Sequence, residues 1–72
     1  MNPTIRLLDV VALIEDLPGK GLTRGQVGTV VEELAPEVYE VEFCDDEGRT
    51  YALLSLRGSQ LMVLRYQPIA AA

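Results

Sequence analysis

Few residues in this chain are able to do chemistry. There is one cysteine, Cys44, and no histidine. A thiolate nucleophile needs a base beside it, and no imidazole is available. Cys44 therefore reads as a structural thiol. One Cys without His also leaves no zinc framework. Asp45, Asp46 and Glu47 stand together ahead of Gly48. A general acid/base pair needs a pocket that separates two carboxyl pKa values, which an exposed turn does not offer. A calcium loop spreads its ligands over about a dozen residues, whereas these three acids are bunched. Gly25 and Gly28 could suggest a phosphate-cradling loop. Such a loop runs into Lys-Ser/Thr and a helix, but here Thr29-Val30-Val31-Glu32 follow. No catalytic residue, metal ligand or cofactor is expected.

What the chain does carry is a block of negative charge. Its net charge is −5, from 11 acidic and 6 basic residues. Glu32, Glu33, Glu37, Glu40, Glu42, Asp45, Asp46 and Glu47 fall together, with no Lys or Arg between Arg24 and Arg49. Phosphate binding needs a basic stripe, so nucleic acid is disfavoured as a partner. Two readings of the block stay open. It is either a set of solvated strand edges and turns, or an acidic face that steers a basic partner protein. On the second reading the contact surface is Tyr39, Glu40, Glu42, Asp45, Asp46 and Glu47.

The elements that position these acids must come from a short chain. Its 72 residues are expected to form a single domain over 1–72, with an ordered core of about 8–66 and a tail over 67–72. Hydrophobic residues make up 49% of the chain, and so small a volume cannot bury them all. Surplus apolar surface often becomes an interface, so a partner protein or a homo-oligomer is expected. Met1-Asn2-Pro3-Thr4 carries no basic n-region, and no stretch reaches the ~20 apolar residues of a membrane span. A free thiol suits a reducing compartment. The expected location is the cytoplasm, with no membrane contact.

Apolar alternation predicts five strands. Asp9 to Glu15 is apolar on both parities and is expected to be covered on both faces. Asp16 to Arg24 is a long loop punctuated by Pro18-Gly19 and Gly21, with Leu22 as its apolar anchor. Lys20 and Arg24 make this loop basic. Gly25 can take the positive φ of a sharp turn, and Gly28 lets another backbone pass close by. Gln26 to Leu34 is the second strand, and Ala35-Pro36-Glu37 turns the chain. In Val38 to Phe43, Tyr39, Val41 and Phe43 face one way, and Glu40 and Glu42 face water. Asp45 to Gly48 is a hairpin connection, followed by a fourth strand over Arg49 to Leu54. Ser55 to Gln60 is a break with one 3₁₀ turn, and Leu61 to Arg65 is the last strand. Pro68 ends it.

This order is that of an all-β, small SH3-like barrel of about five antiparallel strands, with a single 3₁₀ turn before the last strand. Closing such a sheet limits exposed edges. The expected core is Val11, Leu13, Leu22, Val30, Val41, Phe43, Leu53, Leu61 and Val63. Val10, Ala12 and Ile14 are alternatives, because the parity of the first strand is ambiguous.

The run from Leu8 to Leu64 resembles a family of short bacterial proteins known as domain of unknown function 4926. The likeness rests on Asp9-Val10-Val11-Ala12-Leu13, Glu15-Asp16-Leu17-Pro18, Gly21-Leu22 and Arg24 to Glu32. It continues through Val38 to Phe43, Gly48-Arg49-Thr50-Tyr51-Ala52 and Gln60-Leu61. The resemblance implies a small SH3-like barrel and supplies no activity, ligand or catalytic residue. Separately, Gly25 to Val31 is similar to the glycine-valine segment of KOW and Tudor-like domains, many of which bind RNA or ribosomal surfaces. The acidic balance and the lack of a basic-aromatic platform depart from that pattern.

The expected function is a non-catalytic protein-interaction module: an adaptor, an accessory subunit, or an antitoxin- or immunity-like partner. The alternative is a KOW-like nucleic-acid- or ribosome-associated domain. An enzyme would need a catalytic set the sequence lacks, and a metal chaperone would need a thiolate or imidazole cluster.

Overall fold

A computed structural model describes residues 4–68. Five antiparallel strands form one sheet in the order β4-β3-β2-β1-β5. They are β1 (Val10–Leu13), β2 (Val27–Ala35), β3 (Val38–Cys44), β4 (Thr50–Arg57) and β5 (Leu61–Val63). Valine, leucine and aromatic side chains dominate their inward positions, where stiff or bulky groups suit a pleated surface.

The sheet has to curl. Were it flat, β4 and β5 would lie four strand spacings apart, about 19 Å. Only the 3₁₀ turn Gly58–Gln60 joins them, and three residues at ~2 Å each span about 6 Å. The two edge strands accordingly meet in one core, where Leu56 and Leu61 join Val11, Leu13, Val30, Val41 and Phe43. Among the described residues no ladder joins β4 to β5. The result is a bent, barrel-like sheet with two edges.

The loop after β1 is more ordered than expected. Pro18–Lys20 forms a second 3₁₀ turn, with Gly21 at φ 71° closing it. Leu17 and Leu22 exchange backbone hydrogen bonds of 2.8 and 3.2 Å across its neck, and Leu22 is buried. The sequence suggested one such turn, before the last strand. Pro18, with its preset φ, starts this extra one.

Strand β4 runs three residues beyond the expected Leu54, to Arg57. This shift corrects the core. Leu53 is 56% exposed, while Leu56 is buried and Leu54 packs against the core. The cause is register: Leu54 lies opposite the buried Val41 and Leu56 opposite Tyr39, whereas Leu53 lies opposite Glu42. Ala12 and Tyr39 also belong to the interior, and Val63 is only half-buried. Strand β5 stops at Val63, two residues early. Of the expected tail, residues 69–72 lie outside the described residues.

Candidate functional site

The face of β2, β3 and β4 turned away from the core is where the acids converge. Val41 and Phe43 are fully buried, so strand alternation sends Glu40 and Glu42 to the opposite side. Register then assembles the neighbours. Glu40 lies opposite Glu32 on β2 and Ser55 on β4, and Glu42 lies opposite Thr29 and Leu53. An extra residue on β2, between Val30 and Glu32, brings Glu32 onto this face. Such a bulge shifts the alternation by one residue.

Glu32 and Glu40 thus form a cross-strand pair of like charge, which is destabilising in itself. No ion pair to a lysine or arginine relieves either, or Glu42, among the described residues. Glu42 accepts a hydrogen bond of 2.6 Å from the Thr50 hydroxyl. That hydroxyl is also 3.6 Å from the Cys44 sulfur, which is exposed and free.

The acids of the β3–β4 connection do different work. The Asp45 carboxylate accepts from the backbone N–H groups of Glu47 and Arg49, both at 2.9 Å, and from Arg49 Nε at 3.2 Å. Asp45 also closes the turn through its own backbone, receiving Gly48 N–H at 3.0 Å. Gly48 takes φ 81°, the positive value the turn requires. The Arg49 backbone bond is the largest influence on the Asp45 carboxyl. With the Glu47 amide and the Arg49 side chain it outweighs desolvation, the next largest influence, and lowers its pKa. Arg49 also pairs with Glu47. Asp46 is exposed at the tip.

Of the six predicted contact residues, Glu40, Glu42, Asp46 and Glu47 offer carboxylates on the surface, half-buried for the first two. Asp45 does so only in part, because its oxygens hold the turn. Tyr39 does not belong. It is 2% exposed and sits in the core cluster, because it shares the inward parity of Val41 and Phe43. Its phenol pKa is raised by burial first, then by Glu37 and Glu33. In its place the structure adds Leu53 and Ser55 of β4. The alternation Tyr51-Ala52-Leu53-Leu54-Ser55-Leu56 up to the breaker Gly58 is the signal that marks them.

No group of three or more His, Cys, Asp or Glu among the described residues is arranged to hold a metal ion. No described helix is long and apolar enough to cross a membrane.

Fold and site together define a small all-β domain with a carboxylate-lined sheet face. A family model described as "Domain of unknown function (DUF4926)" matches residues 7–63, and the chain belongs to that family. No curated protein and no solved structure matches it.

Proposed function

We propose that this domain is a non-catalytic protein-interaction module of the cytoplasm. Its outer β2–β3–β4 face receives a basic surface of a partner protein. The observation that carries the reading is the row Glu32, Glu40 and Glu42, which faces outward without a cation. A fold gains nothing from like charges set directly opposite each other. A bound cationic surface would relieve that repulsion, so the unfavourable pair is consistent with a face kept for a partner. The half-burial of Glu40 and Glu42 strengthens their field relative to fully solvated carboxylates, and a one-signed face speeds encounter with the opposite sign. An SH3-like arrangement, in which a small barrel presents its outer face, fits this use.

The test is affinity capture from the native cytosol with the natural chain and with Glu32→Lys/Glu40→Lys/Glu42→Lys. One protein should be held in stoichiometric amount by the natural chain, lost in salt well above ~0.15 M, and not captured by the variant. Equal capture by both chains would remove this face from the reading. Recovery of RNA alone would replace it with a nucleic-acid-associated role.

A further inference from the structure

Strand β4 is an edge with few protective devices. Sheet edges in proteins are blunted by being short, by proline, by inward charges or by a covering segment. Edge strand β5 fits the rule, being three residues long. Edge strand β4 does not. It is eight residues long, contains no proline, and carries one charge, Arg57, at its end. Beyond it, among the described residues, no further strand is paired.

A groove of about 290 Å³ runs beside its second half. Leu54, Ser55, Leu56 and Arg57 line it in unbroken succession, together with Leu17 and Lys20 of the first loop. A side chain directed inward from a strand added here meets Leu17, Leu54 and Leu56. One directed outward reaches the carboxylate face. Glu40 and Glu42 lie one strand in from the edge, opposite Ser55 and Leu53. Strands are ~4.8 Å apart, so an added strand sits about 10 Å from β3. A lysine or arginine stem spans much of that distance, and the small Ser55 leaves its path open.

We infer that the β4 edge binds an extended segment of a basic partner protein by strand addition, with apolar residues alternating into the groove and basic residues over Glu40 and Glu42. This rests on the acidic-face reading above and adds to it the partner's conformation and pattern. Main-chain hydrogen bonds supply affinity in such complexes, and alternate side chains supply specificity. Lys20 beside the groove disfavours a cation directed inward, so the partner's cations fall at the outward positions. A second copy fits less well. Pairing β4 with β4 of a twin makes one continuous sheet with both carboxylate rows on the same side, and the chain already carries −5.

The experiment uses the whole chain, labelled with nitrogen-15, and an end-capped peptide of about eight alternating lysine and valine residues, matched to a strand. Binding should shift and protect amides within Tyr51 to Ser55; the Arg57 N–H is already held by Gln60 Oε1 at 2.8 Å. Two N-methylated peptides, one for each alternate set of backbone N–H groups, separate the edges: the set that faces β4 should weaken binding about tenfold or more, and the set that faces solvent should not. A glutamate-valine peptide should not bind. If both N-methylated peptides bind as well as the unmodified one, or if protection falls elsewhere, strand addition is overturned while the acidic-face reading survives. Equal binding of the glutamate-valine peptide overturns the basic pattern. Absence of binding by the lysine-valine peptide overturns the inference, and the charge-reversal capture then decides the broader reading alone. Protection of β4 that rises with protein concentration, without peptide, assigns the edge to a second copy and overturns it too.

Discussion

Gly28 of β2 lies against Glu42 of β3 so closely that a Cβ there would stand 2.9 Å from the Glu42 carbonyl oxygen. It would also stand 2.7 Å from Val41 Cγ1 and 3.1 Å from Phe43 Cδ2. The glycine that opens β2 therefore sets how near the acidic strand approaches. Gly28→Ala must push β3 away, because the nearest backbone atom cannot rotate aside and Val41 is fully buried. The expected loss is about 1–3 kcal/mol, read as a lower urea midpoint with an unchanged slope. A midpoint equal to that of the natural chain would mean that β3 yields freely.

The Glu32–Glu40 pair predicts a gain in stability on disruption. Glu40→Lys replaces repulsion by attraction across the ladder and should stabilise the fold by ~0.2–1 kcal/mol. The same change should weaken partner capture, the usual opposition between stability and a functional site. Thermal melts at low and high salt check the electrostatic origin. The advantage of the variant should shrink as salt rises.

Asp45 predicts an acid-side loss. Its folded pKa lies below the unfolded value, near 3.8. A group depressed on folding contributes stability above its unfolded pKa and loses it as pH falls through the folded one. Urea midpoints should therefore drop below about pH 4. Asp45→Asn should flatten that limb while lowering stability at neutral pH, where the charged carboxylate holds two backbone amides. An unchanged acid limb would show that other carboxylates carry it.

Tyr39 predicts the opposite limb. Burial and the carboxylates of Glu37 and Glu33 favour the neutral phenol, so its folded pKa lies above 10.0. Such a group contributes its stability below the unfolded value and loses it as pH rises through the folded one. The natural chain should weaken above about pH 10. Tyr39→Phe keeps the ring in the core and should remove that part of the alkaline loss. The check is a comparison of midpoints at pH 8 and above 10. Parallel alkaline decline in both chains would place the loss elsewhere.

The all-β class and the five strands were legible in the sequence because period-2 alternation and turn residues are local signals. Tyr39 to Phe43 reads inward and outward without any partner strand. The hairpin at Asp45 to Gly48 announces itself through acids followed by a glycine that can take positive φ. The family resemblance over Leu8 to Leu64 agrees with the matched residues 7–63. What alternation cannot supply is how far a strand runs and which strand lies beside it. Leu53 and Leu56 are alike as residue types, and only the register against Glu42 and Tyr39 sends one to solvent and the other to the core. Tyr39 suited a contact surface by composition, although the alternation had already set it inward with Val41 and Phe43, where the structure buries it. Glu32 faces Glu40 only because β2 holds an extra residue, a feature with no signature in side-chain pattern. Local side-chain pattern accounts for the strand-forming stretches and the store of negative charge. The tertiary structure alone decided which carboxylates share a face and which edge stands open, because hydrogen-bond register and sheet curl depend on residues far apart in the chain.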